Sequence, residues 1–362
     1  MVRLHARRWL LIWTALFAGA ILGVGQTAAT GNRTATTPAR VTPFKTVKIS
    51  GDDYVDLQEF AKRFNFKIAW NAKAGTIALS DARGVRFRFE KDQRDYLFDG
   101  IRVFLGDAVR FHRDSLWATR TDIFKIIGPL LLPGDYLSAF PPGAPKVIVI
   151  DAGHGGIDPG TQNAKLKLNE KTMALDVAAR MKRSLELRGF KVILTRTTDK
   201  ELSRNKVMDL TMRSEIANKN GADLFVSIHF NAAPGAVSGI ETYTMTPQFM
   251  RSTGDYSTGD PMSKTVFPNN AFDVPNLVLG AHLHRALLNE LKASDRGFKR
   301  GRWGVLRQLK CPGVLVECGY LSNDAEASRI ATPAWRQKIA EALADGVQNY
   351  SNSLASLRSA NK

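Results

Sequence analysis

Val147-Ile148-Val149-Ile150-Asp151-Ala152-Gly153-His154-Gly155-Gly156 is the stretch on which the fold turns. Its apolar first half reads as a buried strand, and its second half ends that strand in an acid, a histidine and three glycines. Chains that alternate such strands with amphipathic helices build open sheets, and polar residues gathered at the carboxyl ends of the strands are where their chemistry collects. The glycines let the backbone turn sharply just beyond the strand.

Working outward, four more apolar runs read as strands: Lys191 to Thr195, Leu224 to His229, Gly239 to Met245 and Gly313 to Cys318. Helical periodicity lies between and after them, at Thr172 to Arg188, Leu202 to Asn218, Asn276 to Ala293 and Pro333 to Tyr350. Residues 146–350 are therefore expected to form an α/β domain, a twisted, mostly parallel sheet with helices on both faces. The Pro/Gly-rich segment 133–145 reads as a linker and 351–362 as a tail. Ahead of the linker, residues 44–132 read as a small α+β domain. Within it the strand-into-helix pattern of Tyr54 to Phe64 returns at Ser115 to Ile127, and no cluster of His, Cys or carboxylates accompanies the lone His112. A binding or spacing role is expected there, not catalysis.

At 362 residues, with 44% apolar and 23% charged side chains, the composition is that of a globular protein. The start, with Arg7 and Arg8 before an apolar run from Trp9 to Val24 and small residues at Thr27 to Ala29, has the layout of an export signal over residues 1–29. Residues 30–43 then read as a flexible tether. The location implied is outside the cytoplasmic membrane, in periplasm or cell wall; the competing reading is an uncleaved N-terminal helix acting as an anchor. Cys311 and Cys318 flank a strand that would hold them roughly 20 Å apart, so no disulfide joins them. A net charge of +17 attracts polyanions, and export makes an acidic wall polymer a better partner than nucleic acid.

Three polar residues fall where strands end: His154, His229 in Val226-Ser227-Ile228-His229, and Glu317 in Val314-Leu315-Val316-Glu317. A fourth, Glu170, opens a helix. Hydrolytic zinc sites take three ligands from His and carboxylate and leave a position for water, and His154, Glu170 and His229 supply that set. Such a metal activates water near neutral pH and polarises the scissile carbonyl, but the departing amine still needs a proton. Glu317 is the candidate to take that proton from water and return it. Each residue alone has a plainer reading: a satisfied histidine, a first-turn acid favoured by the helix dipole, a buried acid with a partner. Together they are far more specific. His282 and His284 are two apart on a helix and make poor joint ligands. The glycines around His154 lack the Gly-Lys-Ser/Thr ending of a phosphate loop. Cys318 follows an acid and has no positive neighbour to activate it, so it reads as a buried thiol.

Asp151-Ala152-Gly153-His154-Gly155-Gly156, Asp158-Pro159-Gly160, Asn169-Glu170, Arg213, Ser227-Ile228-His229-Phe230-Asn231-Ala232 and Val316-Glu317-Cys318-Gly319-Tyr320 together resemble the catalytic domain of the zinc-dependent N-acetylmuramoyl-L-alanine amidases. The resemblance implies hydrolysis of the amide bond between N-acetylmuramic acid and L-alanine in peptidoglycan. His154, Glu170 and His229 would bind Zn2+, and Glu317 would be the catalytic acid and base. Arg213 and Asn231 match recurrent positions, although Arg213 on a helix could simply pair with an acid. Two alternatives remain: a wall-binding protein, non-catalytic or regulated, and a zinc hydrolase acting on another peptidoglycan bond. The first domain resembles, in pattern only, the N-terminal module of copper amine oxidases. Together with the charge, it suits retention on the wall. A monomer is expected.

Between Thr242 and Asn276 the chain carries a long insert rich in Gly, Pro, Ser and Thr. Some members of the resembled family place there an inhibitory helix that a partner protein removes. This insert lacks helical periodicity, so a substrate-lining loop is expected. Asp255, Asp260 and Asp273 leave the lock, and an activator protein, open.

Overall fold

The computed structural model describes residues 43–137, 143–254 and 262–359. The export signal, nearly all of the tether, the middle of the Pro/Gly linker, Asp255 and Asp260 lie outside them.

In the first region Thr46–Ile49 (β1) and Asp52–Asp56 (β2) lead into Leu57–Arg63 (α1). An antiparallel meander follows: Lys67–Asn71 (β3), Thr76–Asp81 (β4), Gly84–Glu90 (β5), Asp95–Phe98 (β6) and Ile101–Phe104 (β7). Arg110–His112 (β8) and Ser115–Thr119 (β9) then enter Arg120–Asp122 (α2), a π-helical turn at Ile123–Ile127, and Gly128–Leu131 (α3). The two strand-into-helix junctions seen in the sequence lie side by side, because β2 pairs with β9. Each helix is capped by the last residue of its strand: Asp56 accepts from the Gln58 amide at 2.8 Å and Thr119 Oγ1 from the Asp122 amide at 3.0 Å. Part of the expected linker is helical. Pro133–Leu137 (α4) buries Leu137 in the core of the second region.

The second region has the expected architecture. Its strands are Val147–Ala152 (β10), the short ribbon Gln162–Asn163 (β11) and Leu168–Asn169 (β12), Lys191–Leu194 (β13), Leu224–Asn231 (β14), Ile240–Thr244 (β15), Asp295–Arg300 (β16) and Gly313–Tyr320 (β17). Its helices are Glu170–Leu187 (α5), Lys206–Lys219 (α6), Asp273–Leu291 (α7), Gly304–Arg307 (α8), Asp324–Ile330 (α9) and Pro333–Ser359 (α10). The sheet runs β13-β10-β14-β17-β15-β16, and the first four strands are mutually parallel. Alternation along each strand supplies both faces. Ile148, Ile150, Val226, Ile228, Val314 and Val316 pack with residues of α5, α7 and α10, whereas Val149, Phe225 and Leu315 pack with Ala217 of α6 and Val305 and Leu306 of α8. Helix α10 continues to Ser359 through what the sequence reads as tail, because Leu354 and Leu357 still pack on the core. Strand β16, Asp-Arg-Gly-Phe-Lys-Arg, has no apolar run to announce it and is held by its neighbours alone.

The first region is not a loosely tethered appendage. Strand β7 adds to β16, extending the sheet to eleven strands through the meander. One hydrophobic cluster joins Val103 and Ile127 of the first region to Leu277 and Ala281 of α7 and Phe298 of β16. At the seam Asp295 accepts from the Arg102 amide at 2.7 Å and meets Nε2 of His284 at 3.0 Å, while Nδ1 of His284 meets Thr242 Oγ1 at 3.0 Å. His284 is thus a fully buried structural link. His282 faces Tyr350 instead and is pushed down to about 4 by burial and by Arg285.

The described ends of the insert lie away from where a substrate-lining loop is expected. Strand β15 runs antiparallel to β17, with Glu241 opposite Glu317 and Thr244 opposite Val314. The chain therefore leaves β15 at the foot of the sheet, remote from the carboxyl ends of the parallel strands. The described ends of the insert stay there: Met245 and Phe267 pack with Cys311 and Leu309, and Asn269 donates to the Cys311 carbonyl at 2.8 Å. Asp273 begins α7 beside Asn270. No described residue of the insert forms a helix directed at the metal ligands.

Helices α7 and α10 approach closely at Gly346. A Cβ there would stand 2.8 Å from the Leu283 Cα, which is backbone and cannot swing away. An ordinary mid-helix Gly→Ala change gains up to about 1 kcal/mol. Gly346→Ala is expected instead to cost about 1–3 kcal/mol through overpacking. A denaturant midpoint at or above that of the wild type would show that the helices can part without cost.

Candidate metal centre

The site is assembled where β10, β14 and β17 end. Period-two alternation puts Asp151, Ser227 and His229, and Glu317 with Glu241, on one face of the sheet, and register places Asp151 beside Ser227 and His229 beside Glu317. A bulge follows at once, since Asn231 pairs with Tyr320 and β17 carries the extra residue. Bulges next to functional sites re-aim side chains, and here Gly319 absorbs the turn at φ 140°.

His154 stands just past β10 with φ 61°, a left-handed backbone that a non-glycine residue adopts at some cost. That cost is met by what the position reaches. Nε2 of His154 lies 3.1 Å from Oε1 of Glu170, and Nδ1 of His229 lies 2.9 Å from the same oxygen. The two imidazoles sit 4.9 Å apart between centroids, near perpendicular. One donor atom from each of the three residues falls within 4.8 Å of the others. Two glycines are required by this closeness: a Cβ at Gly153 would sit 2.4 Å from the His229 ring, and one at Gly160 2.5 Å from Glu170 Oε2 and 2.7 Å from the His154 ring.

Each ligand candidate is held from behind. Nδ1 of His154 meets Asp158 Oδ2 at 2.9 Å, and Asp158 is itself bound by Lys206. Glu170 Oε2 accepts from the Thr161 amide at 2.7 Å and Oε1 from the Phe230 amide at 3.0 Å. Outer carboxylates of this kind orient metal-binding histidines. Burial opposes charge on His154, but its hydrogen bonds to the Asp158 and Glu170 carboxylates prevail and raise its pKa to about 9. Burial likewise opposes ionisation of Glu170, and the two histidines prevail to hold it well below the usual range. Two imidazoles and an ionised carboxylate converging without an intervening side chain form a donor set that suits a small divalent metal such as zinc.

Glu317 is different in kind. It is paired with His229 across the strands, and its Oε2 is buried without a hydrogen-bond partner. Burial, then Glu170 and Glu241, push its carboxyl well above the ordinary range. A buried carboxyl oxygen left without a partner is costly, and sites where it persists are candidates for chemistry. Cys318 points to the opposite face into the core, with its thiol pushed up by burial and then by Glu317, as suits an unreactive residue. Both cysteines are free.

Sequence reasoning missed the floor of the site. Asp151 is buried and accepts from Thr195 Oγ1 at 2.7 Å, Ser227 Oγ at 2.7 Å and Arg213 at 2.8 Å. Arg213 also binds Asp209 at 2.8 Å and the carbonyls of Ala152 and His154 at 2.8 and 2.9 Å. It pairs with acids, as the plainer reading had it, yet by those carbonyls it also fixes the loop that carries His154. Arg196 was not singled out at all, and it binds the carbonyls of Ala152, Gly153 and Lys171. Its signal was an arginine two residues past β13, the strand that pairs with β10.

Two outcomes follow from this geometry. Arg213→Met strands two buried carboxylates and is expected to cost about 3–5 kcal/mol, read as a fall in the denaturant midpoint; a loss below about 1 kcal/mol, the worth of an exposed pair, would contradict the buried network. The raised proton affinity of His154 stabilises the metal-free protein fully below its ordinary 6.5, and that contribution is lost as pH climbs through about 9. Glu170 and Asp158, both depressed, contribute above the carboxylate range and lose their contribution only in acid. Melting temperatures of chelated protein should therefore decline between pH 6.5 and 9, and the decline should flatten with zinc present. A flat metal-free profile would count against the bonded trio.

A family model described as N-acetylmuramoyl-L-alanine amidase matches residues 148–349. An uncharacterised cell wall amidase of Bacillus anthracis is 32% identical over 206 residues, which are 57% of this chain and 35% of that protein. The germination-specific N-acetylmuramoyl-L-alanine amidase of Bacillus subtilis (strain 168) is 31% identical over 215 residues, 57% of this chain and 79% of that protein. N-acetylmuramoyl-L-alanine amidase AmiA of Escherichia coli (strain K12) is 30% identical over 229 residues, 58% of this chain and 77% of that protein. The family model spans His154, Glu170, His229 and Glu317, and the chain belongs to the N-acetylmuramoyl-L-alanine amidase family.

Proposed function

We propose that this protein hydrolyses the amide bond between N-acetylmuramic acid and L-alanine in peptidoglycan, with zinc held by His154, Glu170 and His229 and with Glu317 as general base and acid. The observation that carries the reading is the convergence of those three side chains, with Glu317, whose buried Oε2 has no hydrogen-bond partner, paired to one of them across the sheet. When bound, zinc supplies Lewis acidity towards the scissile carbonyl and activated water. The chain's own residues do the rest. Asp158 keeps His154 turned towards Glu170, and the Arg213 and Arg196 contacts keep the His154 loop from shifting. Glu317, whose surroundings raise its proton affinity, is suited to take a proton from water and pass it to the leaving nitrogen. Ile157, 70% exposed on the same loop as His154, offers apolar surface to a substrate lying over the site.

Peptidoglycan is the partner in this reading, and nucleic acid is not. The net charge of +17 favours retention on anionic wall polymers. For the first region we retain the role of wall binding or spacing, with its likeness to the amine oxidase module. Deleting it is a poor test, because Leu277, Ala281 and Phe298 would be uncovered. Export to periplasm or wall rests on residues 1–29. Among the described residues no helix is long and apolar enough to cross a membrane. An activator protein remains part of the proposal, and the chain is taken to act as a monomer.

Digestion of purified peptidoglycan followed by mass spectrometry tests the reaction. Free stem peptides beginning with alanine are expected, lost on chelation, restored by zinc, and reduced by about 10²–10⁴-fold in Glu317→Gln. Fragments cut at another bond would move the assignment to a different wall hydrolase. No cleavage by zinc-loaded protein would favour the wall-binding reading.

A further inference from the structure

Glu241 sits on β15 directly opposite Glu317, 3% exposed, with both carboxylate oxygens fully engaged. Lys299 Nζ at 2.5 Å and the Tyr320 hydroxyl at 2.6 Å donate to Oε1; the Tyr243 hydroxyl at 2.7 Å and Asn231 Nδ2 at 3.0 Å donate to Oε2. The donors come from four strands, β14, β15, β16 and β17. Two of them, Asn231 and Tyr320, are the pair that closes the bulge immediately beyond His229 and Glu317. One carboxylate thus ties the strand ends that present a metal ligand and the acid-base candidate.

The tie reaches into the first region. The Lys299 ammonium lies 5.5 Å from the ring centroid of Phe104 and 5.7 Å from that of Tyr243. Phe104 ends β7, and it fits only because residue 297 is glycine: a Cβ there would stand 2.4 Å from its ring. Cations between aromatic faces are held in place as well as stabilised. A continuous line of contacts therefore runs from Phe104 through Lys299 and Glu241 to the bulge.

We propose that Glu241 and Lys299 are positioning residues that hold Glu317 in register with His229, and that Phe104 makes the first region part of this support. The inference rests on the amidase reading only for what is assayed. Removing the Lys299 charge leaves Glu241 buried and unpaired, which a protein relieves by letting water in or by moving strands apart. Tyr320 and Asn231 then lose their common anchor, and a shift of about 1 Å at the reacting groups can cost on the order of 100-fold in rate.

The full chain would be assayed on a soluble muropeptide, so that wall binding does not enter, with Lys299→Met, Lys299→Arg, Glu241→Gln and Phe104→Ala compared for kcat, KM, bound zinc and amide hydrogen exchange. Lys299→Met and Glu241→Gln should lose about 10- to 100-fold in kcat, with KM within about twofold and zinc content unchanged. Lys299→Arg should recover most of the loss, and Phe104→Ala should move the same way as Lys299→Met by a smaller factor. Exchange should quicken at residues 229–232 and 317–321 in Lys299→Met. An unchanged kcat, a change confined to KM, or activity lost in step with zinc would overturn the inference. If the wild type releases no peptide, the amidase reading fails separately, and exchange alone decides: unaltered protection in Lys299→Met then overturns the positioning role.

Discussion

The buried carboxylate of Asp151 is the constraint on which the catalytic end of this sheet depends. It closes β10 and has to be satisfied where water is absent, and it gathers Thr195 beyond β13, Ser227 of β14 and Arg213 of α6 around itself. Arg213 cannot serve it without also meeting Asp209 and the carbonyls of Ala152 and His154. Such a network adds little net stability over apolar packing, but it is strongly directional and costly to break in part. Its effect is to set three strand ends and one loop in a single relative position.

On that floor the three candidate ligands are arranged with little freedom left. His154 occupies a left-handed backbone, and Gly153 and Gly160 leave only the width of a hydrogen on the neighbouring ligand side chains. The trio then shares one carboxylate oxygen between two imidazoles, an arrangement in which protons hold the place that a divalent ion would take. Electrostatics divides the acids into roles. Glu170, Asp158 and Glu241 meet cations or hydrogen-bond donors that hold their carboxyls below the ordinary range, whereas burial and then the neighbouring Glu170 and Glu241 push the Glu317 carboxyl above it. That divergence between neighbouring carboxyls is how one site comes to hold both fixed charge and a proton carrier.

The first region and the second share a sheet, a hydrophobic cluster and the Asp295 seam, and these connections bear on how the protein works. Helix α7 is apolar on both sides because each side faces a core. A chain cut between the regions would expose one of them. The described ends of the insert, by contrast, lie at the foot of the sheet and serve packing under β17.

Local pattern was enough for much of this protein. The apolar strands β10, β14 and β17, the helices between them, and the candidate residues His154, Glu170, His229 and Glu317 that the fold brings together were legible because each is announced by its own neighbours: a run of buried residues, then a polar one where the run stops. What the sequence could not decide is whatever depends on direction and pairing between distant strands. The antiparallel course of β15 sent the described ends of the insert to the foot of the sheet, and β16 is a strand only because β15 and β7 flank it. Arg196, Arg213 and Glu241 acquire their work from partners brought close by the fold, up to 79 positions away in the chain. Hydrophobic period is a short-range property that one sequence carries within a few residues. Register, strand direction and the sharing of buried charge are long-range, and they exist only once the chain has closed on itself.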